Sequence, residues 1–151
     1  MEVFLVENTA DHALRERIAL LMMGQMEAIG DRNAYSNLIA AIDLALQEGS
    51  SAKMFAVQDN ELIIGLAFFN IGISLEKGGY YIWLNDLYVH NDFRKKGIAK
   101  KLLLHTLFWA EQNNLKGIEL ETGVNNQATK RLYNSFGFHD IVSKRYGLDI
   151  T

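Results

Sequence analysis

The run Leu84-Asn85-Asp86-Leu87-Tyr88-Val89-His90-Asn91-Asp92-Phe93-Arg94-Lys95-Lys96-Gly97-Ile98-Ala99-Lys100 joins two kinds of local structure around a basic turn. Its first part is aromatic and branched, as a strand requires. Its last part opens a pattern, Ile98, Leu102, Leu103, Leu107 and Ala110, that marks an amphipathic helix over about residues 96–112. The first N–H groups of a helix have no intrahelical acceptor and carry the positive end of its dipole, so a helix start of this kind suits an anion. Gly97 permits close backbone approach, small Ala99 keeps the helix start open, and Arg94, Lys95 and Lys96 add charge. The turn lacks the glycine-lysine-serine/threonine ending of a Walker loop. Taken alone, it also fits an ordinary basic helix start on a protein surface.

At the N-terminal end, residues 1–6 alternate as a strand. A helix capped by Thr9 or Asp11 follows to about residue 27, and a second spans about residues 33–47. Residues 53–58 and 62–71 read as a hairpin around Asp59-Asn60, residues 73–79 as a loop, and residues 80–89 as the strand that enters the basic turn. Downstream, residues 118–121 alternate as a strand and residues 127–136 form a short helix closed by Gly137. Residues 138–143 and 146–150 read as two closing strands. The expected fold is α/β in the α+β sense: one domain over residues 1–151, with a mixed, mostly antiparallel sheet of about six to seven strands and about four helices.

The chain of 151 residues has room for one core, and its formal net charge of -3 disfavours non-specific nucleic-acid binding while suiting a cationic ligand. It contains no cysteine, which removes thiolate nucleophiles and Cys-ligated zinc. No apolar run reaches the roughly 20 residues a membrane helix needs, and the N-terminus lacks a secretory layout, so no membrane partner and a cytoplasmic setting are expected. His12, His90, His105 and His139 have no ligand spacing, and no metal is expected.

Arg94-Lys95-Lys96-Gly97-Ile98-Ala99 matches the GNAT pyrophosphate signature, Gln/Arg-x-x-Gly-x-Gly/Ala. Asn125-Asn126-Gln127-Ala128-Thr129-Lys130-Arg131-Leu132-Tyr133-Asn134-Ser135-Phe136-Gly137-Phe138 resembles the later GNAT motif, Asn-x-x-Ala-x-x-Leu-Tyr-x-x-x-Gly-Phe. On these two motifs the chain is similar to the GNAT superfamily of acetyl-coenzyme A-dependent N-acetyltransferases, from about residue 52 onward. Ala67-Phe68-Phe69 and residues 81–89 also look like the diamine and thialysine acetyltransferases, which carry Leu-Glu-Asp where this chain has Leu84-Asn85-Asp86.

The resemblance implies a sheet splayed at an acyl-coenzyme A cleft. Acetyl-coenzyme A would rest its pyrophosphate on the backbone of Lys95, Lys96, Gly97, Ile98, Ala99 and Lys100 with Arg94 nearby. Its pantetheine arm would pair with the edge of Leu87, Tyr88 and Val89 and bond to Asn125. Tyr133 would be the general acid. An alkylamine with a pKa of about 10.4 is almost wholly protonated at neutral pH, so it needs a base. Asn85 cannot be one, and strand alternation turns Asp86 to the opposite face from Asn85 unless a bulge intervenes. His90, Glu119 and Glu121 are further options. The expected partner is a small-molecule amine. A peptide acceptor, or a non-catalytic acyl-coenzyme A-binding sensory module, is the alternative. Dimers are common in the resembled subgroup, and the last strand is one place where copies could pair.

Overall fold

Polar residues start both N-terminal helices. In the computed structural model, which describes residues 1–122 and 127–151, Asp11 accepts a hydrogen bond from the Leu14 N–H at 2.9 Å and opens α1 (His12–Gln25). Asp31 accepts from Asn33 and Ala34 at 2.9 and 3.2 Å and opens α2 (Arg32–Ala45). Each aspartate satisfies N–H groups that the helix cannot pair internally. The two helices are tied by Arg15, whose guanidinium reaches Asp43 at 2.8 Å, and by the Tyr35 hydroxyl, which donates to Glu16 at 3.0 Å.

Residues 1–121 form one compact unit around a five-stranded sheet in simple chain order. Strands β1 (Glu2–Leu5), β2 (Ala52–Asp59), β3 (Leu62–Ser74) and β4 (Gly79–Val89) are antiparallel neighbours. After α3 (Ile98–Gln112) the chain returns as β5 (Ile118–Leu120), parallel to β4. The β2–β3 turn places Asn60 at φ 55, a left-handed conformation that asparagine tolerates. The loop expected over residues 73–79 is shorter than the sequence implied, because Ile73 and Ser74 pair with Tyr80 and Gly79 and only a tight turn remains.

Alternation along β3 sorts the core into two layers. Leu66 and Phe68, with Met54 and Ala56 of β2, pack against Ile18, Leu21 and Met22 of α1 and Ile42 of α2. Phe69 faces the opposite way and meets Trp109 of α3 with ring centroids 5.5 Å apart. Thr106, fully buried on α3, donates its hydroxyl to the Leu102 carbonyl at 2.9 Å and so is not left unsatisfied. None of the helices among the described residues is long and apolar enough to cross a membrane.

Residues 122–151 form the second unit, built on α4 (Gln127–Ser135). Gly137, at φ 90, ends it as expected. The Phe138 N–H bonds to the Tyr133 carbonyl at 3.2 Å, the Gly137 N–H bonds to Asn134 at 3.1 Å, and the Tyr133 and Phe138 rings meet edge to face at 5.6 Å. This is a Schellman closure with its customary apolar contact. The two strands expected at 138–143 and 146–150 do not form, so the described sheet has five strands. The alternation in Tyr146, Leu148 and Ile150 is real, but all three side chains are nearly fully exposed. Apolar alternation fixes which side a strand would bury and supplies no neighbour for its backbone.

Gly65 is where α3 comes down on the sheet: a Cβ there would stand 3.1 Å from side-chain carbons of both Ile98 and Leu102, which are buried and have little room to yield. Gly65→Ala is therefore expected to destabilise the protein by about 1–2 kcal/mol, read as a lower urea midpoint at unchanged slope.

Candidate active site

Two adjacent polar residues interrupt the apolar run of β4, and the strand slips there. Phe68 of β3 is paired with Asp86, but the next residue, Phe69, is paired with Leu84, so Asn85 is an extra residue in the ladder. Such a bulge re-aims side chains. Asp86 takes the face of its partner Phe68, the side covered by α1 and α2. Asn85 accepts a hydrogen bond at 2.8 Å from the side chain of Asn70, which shares that face with Phe68 two residues earlier. The carboxyl and the amide that simple alternation would separate thus lie on one face of the sheet.

Asp86 is half-buried beneath the C-terminal turn of α1, and burial raises its carboxyl above the ordinary aspartate range, while a hydrogen bond with the Gln25 side chain pulls it partly back. Tyr88 lies on the same face. Its hydroxyl approaches α1 so closely that a Cβ on Gly24 would be 3.4 Å from it.

The sheet opens at the same place. Pairing of β4 with β5 covers only Ile82, Trp83 and Leu84, whereas β4 runs on to Val89, so beyond Leu84 this edge has no strand partner among the described residues. On the other edge, β4 keeps its ladder with β3, and the His90 N–H still bonds to the Ile64 carbonyl at 2.7 Å. The splay expected for the sheet is present.

After a 3-10 turn (Asn91–Phe93), Lys95 at φ 62 and Gly97 at φ 77 swing the chain into α3. Gly97 caps the helix with no side-chain hydrogen bond, and the first intrahelical bond at this end is that of the Lys101 N–H to the Gly97 carbonyl at 3.0 Å. The backbone donors of Ile98, Ala99 and Lys100 therefore precede the helical ladder, and a Cβ placed on Gly97 would meet nothing within 4 Å. Lys95, Lys96 and Lys100 are exposed around this helix start. Arg94 behaves differently: its guanidinium lies 5.6 Å from the Tyr88 ring centroid, and its Nε donates to the Val89 carbonyl at 3.2 Å. It staples the turn to the end of β4.

Tyr133 is in the second unit, where burial raises its phenol above the usual tyrosine value. Asn125 lies outside the described residues. Of the other bases considered, the His90 Nδ1 accepts from the Asp92 N–H at 3.1 Å, Glu119 is paired with Lys77 at 3.3 Å, and Glu121 follows the end of β5. Among the described residues there is no cluster of acidic or histidine side chains that could hold a metal. The sequence had one signal of the bulge, the consecutive pair Asn85-Asp86 inside an apolar strand. It had none for the Gln25 contact, which comes from another element.

Known proteins resemble the chain in sequence and in fold. The model of the acetyltransferase (GNAT) family matches residues 16–138. Streptothricin acetyltransferase A of Bacillus subtilis (strain 168) is 34% identical over 76 residues, 50% of this chain and 40% of that protein. The uncharacterized N-acetyltransferase YhdJ of the same organism is 30% identical over 95 residues, 62% of this chain and 66% of that protein. The matches thus span less than two thirds of either relative. Among solved structures, the aminoglycoside N-acetyltransferase AAC(6')-Iy in complex with CoA superposes with a TM-score of 0.76 at 17% identity, covering 99% of this chain and 95% of that one. The ribosomal-protein-alanine N-acetyltransferase from Brucella melitensis biovar Abortus 2308 superposes with a TM-score of 0.72 at 18% identity, covering 99% and 100%. At these identities the likeness is one of fold.

The raised carboxyl of Asp86 has a thermodynamic consequence. The native state binds this proton more tightly than the unfolded chain, whose reference value is 3.8. The resulting stability is complete below that value and is lost as pH rises through the higher native one. Near pH 7 the protein carries a half-buried charge that Asp86→Asn removes. The variant should melt at a higher temperature than the parent at pH 7, with the gap closing as the melts are repeated at successively lower pH toward 4.

Proposed function

The chain belongs to the acetyltransferase (GNAT) family, and on that premise we propose that it moves an acetyl group from acetyl-coenzyme A to a primary amine of a small molecule, by direct attack in a ternary complex. The observation that carries this reading is the bulge at Asn85. It puts Asp86 on the α1/α2 face of β4 beside the point where β5 leaves the strand, ahead of the basic turn and of an α3 start without a side-chain cap, and this supports Asp86 as the proton acceptor. The 34% identity to a protein named for streptothricin acetylation supports a low-molecular-weight acceptor, and the net charge of -3 suits a cationic one. In this reading the chain works in the cytoplasm without nucleic acid or metal.

The open donors of Ile98, Ala99 and Lys100, with Gly97 bare beside them and Lys95 and Lys96 around them, fit a pyrophosphate. The edge of Leu87, Tyr88 and Val89, without a strand partner among the described residues, fits an extended arm that adds to the sheet as a strand would, and Asn125 would bond to it. A β4 N–H on that edge would steady the oxyanion.

The amine arrives as an ammonium, and removing its proton near pH 7.4 costs about 4 kcal/mol for a pKa of about 10.4. Asp86 takes this proton directly or through water, and its burial raises its proton affinity in the direction the task needs. Asn85 and Asn70 position the acceptor by hydrogen bonding. The nitrogen then attacks the thioester carbonyl, forming the C–N bond, and the C–S bond breaks. Tyr133 protonates the departing sulfur, and the second amine proton restores the phenol through solvent. Asp86 releases the first proton to bulk. The raised phenol keeps Tyr133 protonated across the neutral range, as an acid must be.

The reading is tested by following release of coenzyme A thiol from acetyl-coenzyme A over a panel of polyamines, amino acids, aminoglycosides and lysine peptides, with calorimetry of cofactor binding alongside. Turnover with one small amine is expected, and Tyr133→Phe should lower kcat by about 100-fold or more while coenzyme A affinity stays unchanged. A Tyr133→Phe variant as fast as the parent would remove the acid from this mechanism. Binding without turnover on any acceptor would favour a sensory module.

A further inference from the structure

Beyond the helices, the α1/α2 face of the sheet continues past Asp86 as an aromatic surface. Tyr81 and Trp83 of β4 are paired with Gly72 and Asn70 of β3, which share the face of Phe68. The Tyr81 ring fills the space Gly72 leaves, since a Cβ there would stand 3.3 Å from it. On β5, Glu119 is in register with Trp83 and comes up on the same face.

Into this surface the chain inserts an alkylammonium of its own. Lys77, from the β3–β4 turn, lays its stem over Gly117, where a Cβ would lie 3.3 and 3.4 Å from its Cε and Cδ, and brings its Nζ to 3.3 Å from Glu119 Oε2. Both side chains are about one-third exposed, so the pair is accessible from solvent. Counting strand rise and one strand spacing, Glu119 lies roughly 10 Å from Asp86, a distance that an extended alkyl diamine with a hydrogen bond at each end can bridge.

We propose that Lys77 is an internal competitor for the acceptor: its ammonium occupies the Glu119 carboxylate that anchors a second cationic group of the amine substrate, and binding of that substrate displaces it. This rests on the acetyl-transfer reading and goes further, making Glu119 a specificity-determining residue and Lys77 its gate. A purely structural tie between the turn and β5 has the opposite consequence, since breaking such a tie would not improve binding of any amine.

The test compares the full chain with Lys77→Met, which keeps the stem and removes the charge, and with Glu119→Gln. The acceptors are 1,4-diaminobutane and butylamine, with acetyl-coenzyme A saturating. Lys77→Met should lower KM for the diamine by up to about fivefold, the range of an exposed ion pair, with KM for butylamine unchanged. Glu119→Gln should raise KM for the diamine by less than about fivefold, because in the parent the gain at Glu119 is partly offset by release of Lys77, and leave butylamine alone. An unchanged or raised diamine KM in Lys77→Met overturns the proposal. Lys77→Gln serves in its place if the methionine variant melts early. Calorimetry of 1,4-diaminobutane on the coenzyme A-saturated protein reads the same competition without chemistry. Tighter binding to Lys77→Met supports the gate even where neither amine is acetylated, a failure that would count against acetyl transfer alone, and equal or weaker binding overturns the gate.

Discussion

Everything on the functional face depends on the ladder between β3 and β4, which has to hold over the full length of both strands while giving up one residue of register. The strands satisfy each other's backbone from Gly65 opposite Val89 to Ser74 opposite Gly79, and that pairing is what lets the other edge of β4 be released after Leu84. A strand unpaired on both sides would leave its peptide groups to water and lose its direction. With one side secured, β4 stays extended to Val89 although its other edge has no strand partner beyond Leu84 among the described residues. The slip at Asn85 falls next to the point of release, and a bulge tightens local twist, so the departure of β4 from β5 and the re-aiming of Asp86 are one distortion seen from two sides.

The basic turn shows the same economy of parts. Lys95 and Gly97 both adopt left-handed conformations, and between them they reverse the chain from strand to helix in a few residues. Arg94, the residue that looks most like an anion ligand by charge, is engaged with the Tyr88 ring and the Val89 carbonyl. It fixes the angle at which α3 leaves the sheet. Gly65 sets how closely the same helix can approach, and Phe69 and Trp109 fill the gap further along. The helix start is therefore held from three directions by groups that are not themselves at its N-terminus.

Much of this was legible in the residues. The periodicity of Ile98, Leu102, Leu103 and Ala110 returned as a buried helical stripe, the Asp59-Asn60 turn as a hairpin, and Gly137 as a helix stop whose neighbours Tyr133 and Phe138 stack across it. These features are local, decided by propensity and by the side chain's own neighbours. What could not be read was relational. A register slip belongs to two strands at once, and the alternation of β4 by itself placed Asp86 away from Asn85. The burial that raises the Asp86 carboxyl, and the Gln25 hydrogen bond that partly offsets it, involve an element some sixty positions away in the chain. At the C-terminus the error ran the other way: a strand-like pattern over residues 146–150 has no sheet neighbour among the described residues, because pattern prescribes a face and cannot prescribe a partner.

The brevity of β5 has a dynamic meaning. Three residues of parallel pairing hold it to β4, against ten residues of β4 paired with β3 on the other side. Local opening free energies follow the number of backbone bonds and buried contacts that must be given up together. The seam between β4 and β5 is therefore the part of the sheet that costs least to open, and opening it leaves the pairing of β1 to β4 and the two N-terminal helices in place.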